Sequence, residues 1–512
     1  MREETLRMER VTYREQGVTQ LENFSMSIWA GEIMGLMPVN RHGISALIKL
    51  LRQNLPLHYG YVYYHEKQVN HWRYSDSSMN RISVIQNKSC LAEVNSYYRV
   101  IIQSCLAEGL TVADNIFVLR PGFRKRLMQP KILRQQLLPF LEDIEMDIDA
   151  DACIEELSPF ERFVVELLKA VVAGNYLVVL DDISSFLSDM ELQKLHRILR
   201  HYADKGMAFL YIAPHYEEVK QICDRTAVMK DGQIIKYFLL SEHVPDTYMY
   251  RWSEGFDRRV SEQIAKKAGK PLKQETAFQA EDLCFGEVKH LSFSVAPGEC
   301  LVLQDLDNRF LPDLLMVLSG EKKAEQGHIR IGDVEFRQKP DRRIAIIQEV
   351  PVQTMLFSNL SYLDNLCFTL DHRFHDVWLT NKIKKSLRQE YAKLLGEEVF
   401  DLRVEELSHK QKYDLIYMRI LVQNPKVVFC VQPFKRAEVS IRIHVWELLE
   451  RFLDKGIAVV ILAVNLADSL ALADRLIRVG KGRKREEYGR NEFGNLQVEA
   501  PWLYLYQEKE EE

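Results

Sequence analysis

The sequence lacks the long apolar runs, paired cysteines and one-signed charge that mark several common classes of protein. No run of 18 uncharged apolar residues occurs, and the opening MREETLRMER is charged from its second residue, so we expect neither a membrane span nor a secretory signal. Eight cysteines are scattered singly, with no CxxC pair and no histidine cluster at ligand spacing, which favours a reducing cytoplasm. With 68 basic against 73 acidic residues, the chain has no cationic excess, and we expect no nucleic acid as its main partner.

What the sequence does contain is an internal repeat. Its 512 residues exceed what one hydrophobic core usually organises. Gly31 in GEIMGLM corresponds to Gly298 in GECLVLQ, 267 residues later, and Gln86 in ISVIQ corresponds to Gln348 in IAIIQ, 262 residues later. Three further pairs are 250 residues apart, namely Asp114 with Asp364, Ser158 with Ser408, and Asp224 with Asp474. This order indicates an ancestral duplication with two small changes of length.

The repeat divides the chain into two domains of one fold class. We place the first at 1–243, a polar and charge-rich linker at 244–275, and the second at 276–512. In the first copy the β-type runs LVVLDD (177–182) and MAFLYIAP (207–214) flank a helical stretch, and VVFCV and IAVVILAV are their counterparts in the second. Such alternation predicts an α/β fold with a mainly parallel core sheet, in which phosphate ligands bind at the carboxyl ends of the strands.

One segment reads as a phosphate-binding loop followed by a helix, with several of its parts replaced. GLMPVNRHGISALIKLL covers 35–51 and aligns with the spacing GxxxxGK[ST]. Pro38 stands at the first glycine and Ile44 at the lysine, whereas Gly43 and Ser45 match the pattern. The segment is therefore either an altered nucleotide site or no site at all.

Taken in order, these landmarks resemble a tandem ATP-binding cassette protein, similar to the fused double cassettes of bacterial ribose, galactose and xylose importers. The resemblance covers nearly the whole chain and includes LTVADNIFVLR, VVELLKAV, LSDMELQKL and ICDRTAVMKDGQ in the first copy. It implies two tandem P-loop NTPase-like domains, each with a mainly parallel core sheet, an antiparallel β subdomain and a helical subdomain. It also implies ATP and Mg²⁺ as cofactors.

The resemblance further implies a composite site between the loop of the first copy and the signature LSHKQ of the second. Asp182 takes the place of the catalytic glutamate, and His215 that of the switch histidine. Asp181, Gln86 and Ser45 correspond to metal-binding positions. The nucleotide-binding positions are Tyr13, Pro38, Val39, Asn40, Arg41, His42, Gly43, Ile44, Ser45, Ala46, Ser408, His409 and Lys410.

The altered loop predicts weak nucleotide binding, with slow or absent turnover. Loss of a lysine that faces phosphate costs about 2 to 5 kcal/mol by analogy with truncated buried charge pairs. Pro38 also removes one backbone donor. Lys49 lies about 140° around the helix from Ile44 and about 7.5 Å down its axis, too far away to replace the lysine. Arg41 or His42 offers a substitute charge, but each places a side chain where glycine is expected.

The second copy departs further from the pattern. DLDNRFLP (305–312) stands at its phosphate loop, with no glycine, no lysine and two aspartates that would repel phosphate. Val431 and Gln432 replace both acids at the end of the strand VVFCV, and Asn465 takes the switch position. We expect no nucleotide there.

The signature helices differ in their charge. LSPFERFVVELLKAVVA has apolar side chains on one face, with Ser158 as N-cap and Glu161 completing a capping box. That carboxylate opposes anion binding at the helix start. Ser408, His409 and Lys410 instead leave a cationic helix start in the second copy, which would face the loop of the first.

Three functions remain open on the sequence. One is a working or slow ATPase that drives a carbohydrate permease, and another is a pseudo-ATPase, nucleotide-sensing or nucleotide-blind, that docks on a permease, another cassette protein or a regulator. The third, a soluble cassette that acts on nucleic acid or ribosomes, lacks the expected basic linker helix. We favour a degenerate energy-coupling subunit of the sugar-importer type, cytoplasmic and peripheral on the inner face of the membrane. Gln86 and Gln348 would lie beside the region where such proteins receive permease helices.

Overall fold

Two structural units, Met1–Gly255 and Phe256–Glu512, make up the computed structural model. Their division falls within the expected linker at 244–275, which lies outside the described residues apart from its last position. Within the described part of the chain, no helix is long and apolar enough to cross a membrane. The structure describes residues 3–53, 55–70, 82–86, 89–90, 101–102, 106–118, 130–239, 275–337, 339–368, 381–435, 437, 439–466, 468–480 and 485–496.

The first unit alternates strands and helices as the sequence predicts. Its strands are β1 (Glu4–Glu15), β2 (Val18–Trp29), β3 (Ile33–Pro38), β4 (Tyr59–Tyr64), β5 (Lys67–Gln68), β6 (Ile82–Gln86), β7 (Ser89–Cys90), β8 (Ile101–Ile102), β9 (Leu177–Asp181), β10 (Ala208–Ile212), β11 (Arg225–Lys230) and β12 (Gln233–Leu239). Its helices are α1 (Ile44–Gln53), α2 (Val112–Phe117), α3 (Pro130–Asp143), α4 (Pro159–Val172), α5 (Asp189–Asp204) and α6 (Tyr216–Ile222).

A mainly parallel sheet forms the centre of the first unit. Its order is β12-β11-β3-β10-β9-β6, with only β12 antiparallel among these strands. β3, β9 and β10 are buried along their whole length, which explains why their sequences are continuous apolar runs rather than alternating ones. A second, antiparallel sheet has the order β2-β1-β4-β5 and shares a core with α1. The helices α2, α3 and α4 contribute to a separate core with β9 and β10.

The second unit repeats this architecture. Its strands are β13 (Phe278–Phe285), β14 (Val288–Val295), β15 (Cys300–Asp305), β16 (Gln326–Ile331), β17 (Val334–Glu335), β18 (Ile344–Ile347), β19 (Val427–Val431), β20 (Ala458–Ala463), β21 (Arg475–Val479) and β22 (Glu486–Gly489). Its helices are α7 (Leu311–Ser319), α8 (Pro351–Thr354), α9 (Tyr362–Cys367), α10 (Asn381–Leu395), α11 (His409–Gln423) and α12 (Val439–Asp454). The core sheet runs β18-β19-β20-β15-β21-β22, and the antiparallel sheet runs β14-β13-β16-β17.

The same polar contacts recur at the repeated positions. Asn115 accepts the Ala107 amide through its side-chain oxygen at 2.6 Å, and its Nδ2 donates to the Ala107 carbonyl at 3.1 Å. Asn365 makes the equivalent pair of bonds with Phe357, at 2.9 and 3.0 Å. Each buried amide therefore ties the loop before a short helix to that helix, α2 or α9. The predicted fold, two tandem domains with parallel and antiparallel sheets and helices, is confirmed.

Candidate functional site

The altered loop leaves the carboxyl end of β3, between β10 and β11. Pro38 ends the strand opposite Met229, and the Val39 amide donates to the Met229 carbonyl at 2.8 Å. Gly43 then leads the chain into α1 with a φ of 83°, where a Cβ would lie 2.4 Å from the carbonyl oxygen of Gln20. Glycine is required there by conformation and by space, so this match to the phosphate-loop pattern has a folding reason as well.

Arg41 is the loop residue that reaches the acidic end of β9. Its Nη2 donates to both carboxylate oxygens of Asp181 at 2.9 Å, and its Nη1 lies 3.9 Å from Oδ2 of Asp182. Both aspartate side chains are 8% exposed, whereas that of Arg41 is 35% exposed. Charge-assisted contacts of this kind are stronger than neutral hydrogen bonds. The structure thus brings three of the predicted site residues together around one guanidinium.

Two neighbouring loop side chains point to other parts of the first unit. The Asn40 Nδ2 donates to Oδ1 of Asp231 at 2.7 Å, in the turn between β11 and β12. The His42 Nε2 donates to the Thr19 carbonyl at 2.9 Å. Of the two substitute charges considered for the loop, Arg41 therefore faces the acidic cluster and His42 does not.

The first turns of α1 contribute packing more than polar groups. Ile44, at the lysine position, and Ala46 are buried, whereas Ser45 is exposed. Tyr13, one of the predicted nucleotide-binding residues, is half-buried against the core that β1, β2 and α1 share. Lys49 pairs with a carboxylate of β1, in line with the expectation that it lies too far along the helix to face the loop.

Asp182 and His215, the predicted catalytic residues, lie near a buried polar network. Asp182 has a φ of 55°, and His215 directly precedes α6. In α6 the buried Glu218 accepts from the Tyr211 hydroxyl at 2.5 Å, and His196 Nε2 lies 3.3 Å from that hydroxyl. Burial raises the pKa of Glu218, with a further raising contribution from Asp182, and burial lowers the pKa of His196 to about 4. The sequence analysis did not single out this network.

The glutamine positions follow their strands as predicted. Gln86 ends β6 beside Asp181 of β9, but its side chain lies outside the described residues. Gln348 follows β18, and its amide donates to the sulfur of Met355 at 3.5 Å. Backbone placement therefore agrees with the repeat, and the metal-binding role predicted for Gln86 stays a prediction.

In the second unit, the side chain of Asp305 binds backbone amides of the loop that follows β15. This buried carboxylate accepts from the amides of Phe310 at 2.8 Å, Leu311 at 3.2 Å and Asp307 at 3.3 Å. Burial raises the pKa of Asp305 to about 6, although these amides and that of Arg309 act to lower it. Consecutive amides before a helix are what a phosphate loop offers its ligand. Repulsion of phosphate was expected here, and the structure adds that the amides are already bound by a carboxylate.

The end of β19 carries a second internal pair. Gln432, at the position of the catalytic acid, has a φ of 42° and donates from Nε2 to Oε1 of Glu349 at 2.9 Å. Lys435 pairs with the same oxygen, and the side chains of Glu349 and Lys435 are 10% and 7% exposed. Asn465, at the switch position, is half-buried. A polar cluster thus replaces the acidic one, with its cation supplied by the chain.

Both signature helices begin with a capping box. Ser158 accepts the Glu161 amide at 3.2 Å, and the Glu161 carboxylate accepts the Ser158 amide at 2.7 Å, as predicted. Ser408 has the same reciprocal pair with Gln411, at 3.3 and 2.9 Å. The start of α11, including His409 and Lys410, is exposed and carries no acidic residue in its first turn.

Part of the first unit matches a known family. Residues 21–185, which include the altered loop and the acidic end of β9, match the family described as ABC transporter. This region of the chain is therefore similar to ABC transporter cassettes.

Curated relatives match this chain along nearly its whole length. It is 22% identical over 503 residues to the ribose import ATP-binding protein RbsA of Clostridium tetani, covering 95% of each chain. It is 25% identical to a putative ribose/galactose/methyl galactoside import ATP-binding protein of Halalkalibacterium halodurans, covering 96% of this chain and 93% of the relative. The arabinose import ATP-binding protein AraG 2 of Burkholderia ambifaria is also 25% identical, with coverage of 93% and 90%. The chain is therefore similar to tandem ATP-binding subunits of sugar importers.

Solved structures support the tandem cassette fold. A model of ribosome-bound archaeal Pelota and ABCE1 matches 94% of this chain and 79% of its own, with a TM-score of 0.59 and 14% identity. The structure of RNase-L inhibitor matches 95% and 92%, with a TM-score of 0.56 and 14% identity. At this level of identity the likeness concerns the fold alone.

Family members bind ATP with Mg²⁺, and the metal does not fit the arrangement at β9. Mg²⁺ requires near-octahedral oxygen ligands at about 2.0–2.1 Å. Both oxygens of Asp181, the expected ligand, instead accept from the Arg41 guanidinium. Among the residues that the structure describes, no cluster of three or more His, Cys, Asp or Glu could hold a metal ion.

Proposed function

We propose that this tandem cassette protein is a degenerate energy-coupling subunit, similar to those of bacterial carbohydrate importers, that binds ATP weakly and hydrolyses it slowly or not at all. The contact between Arg41 and Asp181 is the observation that carries the proposal, because it supplies one cation to a loop that lacks the lysine. An arginine binds phosphate through planar, forked donors. The buried Ile44 at the lysine position limits the affinity.

The proposed site is the one that the family resemblance implies for the loop of the first copy. By that resemblance, the loop 38–46 and Asp181 would act together with Ser408, His409 and Lys410 of the second copy. The start of α11 is cationic and exposed, and a helix N-terminus attracts anions. The loop closed by Asp305 and the acidic first turn of α4 both oppose phosphate.

Slow hydrolysis follows from the residues around β9. Asp182, in the role of general base, is one methylene shorter than glutamate, and Arg41 Nη1 lies 3.9 Å from its carboxylate. Arg41 is therefore placed to pair with the carboxylate that would have to accept the proton of the attacking water. His215 would contact the nucleotide from the start of α6.

The proposed partners are membrane permease subunits of a carbohydrate-type importer, with the chain peripheral on the inner face of the cell membrane. An exposed aromatic pair in the second unit supports docking near Gln348. The rings of Phe357 and Phe368 are tilted by 36° with their centroids 4.2 Å apart, and they are 41% and 48% exposed. Exposed aromatics of this kind are enriched at protein interfaces.

Nucleotide binding and turnover by the purified full-length chain test the proposal. A fluorescent ATP analogue is expected to bind about 30-fold to several thousand-fold more weakly than to an intact cassette protein. Turnover is expected to stay well below about one per second. Turnover near that rate, lost in Asp182→Asn, would show a competent ATPase, and undetectable binding would remove the nucleotide site. A pull-down from native membranes tests the permease partner.

A nucleotide-blind scaffold, acting on another ABC protein or a regulator, is the second candidate. It is favoured by the second unit, where the chain supplies both an anion to the loop and a cation to the end of β19. If the same holds for the first unit in solution, the cassette shell serves docking alone. Absence of fluorescent-nucleotide binding together with capture of a stable protein partner would support this candidate.

A further inference from the structure

We propose that Arg41 takes the place of the divalent cation in the first cassette, so that this site accepts a nucleoside polyphosphate without Mg²⁺. The inference rests on the proposed function, because it concerns the same site. It departs from the expectation of Mg²⁺ with ATP that the family resemblance gives.

The first support is the position of the guanidinium. Nη2 lies 2.9 Å from both oxygens of Asp181 at the end of β9, the carboxylate that would otherwise bind the metal or its water. A metal ion cannot bind through these oxygens while a guanidinium nitrogen occupies the space between them. Binding Mg²⁺ would require Arg41 to leave two buried carboxylates, those of Asp181 and Asp182.

The second support is charge. Asp181 and Asp182 are adjacent and buried, so they require a neighbouring cation. In the metal-dependent arrangement the divalent ion would supply it, and here Arg41 does. A guanidinium has five N–H donors and can bridge a carboxylate and a phosphate at the same time. The Arg41 side chain is 35% exposed, which leaves it accessible from the side where the loop would meet a ligand.

The third support is an independent parallel in the second unit. There Lys435 follows the end of β19 and pairs with Glu349, which also accepts from Gln432. An internal cation is therefore present at the corresponding strand end of each unit, although it comes from a different segment and pairs with a different acid. Each unit thus supplies its own cation near this strand end, and that of the first unit contacts the acid predicted to bind the metal.

Nucleotide binding with and without metal is the deciding experiment. The full-length chain is titrated with a fluorescent ATP analogue in excess Mg²⁺ and again in excess EDTA. We expect the two dissociation constants to agree within about threefold. Binding that is lost in EDTA would overturn the inference and leave the proposed function intact. Absence of binding in both buffers would overturn the two together.

A second measurement needs no nucleotide. Free Mn²⁺ is followed by electron paramagnetic resonance as protein is added, with thermal unfolding recorded in parallel. Wild type is expected to leave Mn²⁺ free, and Arg41→Gly is expected to bind it and to gain thermal stability from it. Arg41→Lys, which keeps the charge, should behave as wild type does. Arg10→Gly is the matched control, since Arg10 is an exposed arginine of the same unit with a φ of 47°.

Each outcome of the metal titration decides the matter. Mn²⁺ binding by wild type as tight as by Arg41→Gly would overturn the inference, because Arg41 would then not exclude the ion. If Arg41→Gly fails to fold, the wild-type titrations in Mg²⁺, in EDTA and with Mn²⁺ still give the answer.

Discussion

The two cassettes share the contacts that build the fold and differ in those that would hold a ligand. Glu32 pairs with Arg225 at 2.6 Å in the first unit, and Glu299 pairs with Arg475 at 2.6 Å in the second. The asparagine bonds and capping boxes recur in the same way. At the phosphate loops, by contrast, one unit has Arg41 directed to β9, and the other has Asp305 bound by its own amides. Polar groups that satisfy the backbone thus occur in both copies, whereas the residues at the predicted ligand-binding positions differ between them.

The comparison also ranks the two sites. In the first unit the chain supplies a cation, Arg41, at the predicted metal position. In the second it supplies both the cation, Lys435, and the anion, Asp305. The second site is therefore satisfied internally at both places where a ligand would bind.

The largest expected effect on the free energy of unfolding comes from removing the buried cation of the second unit, Lys435. Lys435→Met would leave the Glu349 carboxylate, 10% exposed, without its buried ammonium, and we expect a loss of about 3–5 kcal/mol of unfolding free energy. Arg41→Met should cost less, about 1–2 kcal/mol, because the Arg41 side chain is 35% exposed, so water can take its place beside Asp181 and Asp182. Urea denaturation of both variants measures the difference.

The double variant Lys435→Met with Glu349→Gln is the control for this contrast. It also removes the Glu349 charge, which the single variant leaves without its cation. It should recover most of the lost stability. Equal losses for Lys435→Met and Arg41→Met would mean that the two cations are equally hydrated, contrary to the burial of their side chains.

A somewhat smaller effect is expected from opening the second loop. Asp305→Ala would leave the buried amides of Phe310 and Leu311 without their acceptor, at a cost of about 2–4 kcal/mol. Sulfate or pyrophosphate should then raise the thermal unfolding temperature of the variant but not that of wild type, because an anion would restore the missing acceptor. Asp305→Asn, which keeps one accepting oxygen, is the matched control. Failure of both anions to stabilise Asp305→Ala would argue against a latent phosphate loop.

Much of this comparison could be predicted from the sequence, and the part that could not has a physical reason. The repeat, the α/β class, the strand ends at Asp181 and Val431, and the capping box of Ser158 follow from periodicity and local bonding. The Arg41 contact with Asp181 joins positions 140 residues apart, so the loop sequence gave only a candidate charge. For Asp305, the sequence shows an acid at a phosphate loop but not whether it points outward or binds the amides of its own loop.

The pH dependence of stability sharpens the comparison further, because Asp305 has no acidic counterpart on the loop 38–46 of the first unit. Burial raises the folded-state pKa of Asp305 to about 6, above the ordinary value of 3.8. Its contribution to stability is thus fully present below about pH 4 and is lost as the pH rises through about 6, with an upper limit of about 3 kcal/mol. Asp305→Asn should remove this dependence, so its stability relative to wild type should rise between pH 4 and pH 6. Urea denaturation across that range checks it, and parallel curves for the two proteins would contradict it.

The smallest effect concerns the signature helices, where the two units are most alike in bonding and least alike in charge. Ser158→Ala and Ser408→Ala each remove an N-cap acceptor and should each cost about 1 kcal/mol of stability. Their effects on fluorescent-nucleotide affinity should differ, because only the cationic start of α11 belongs to the proposed site. Ser408→Ala is expected to weaken binding by a few-fold, about 0.5–1 kcal/mol, and Ser158→Ala to leave it unchanged. Equal weakening by both variants would indicate that nucleotide contacts both signature helices. The ranking of the two predicted sites would then be wrong.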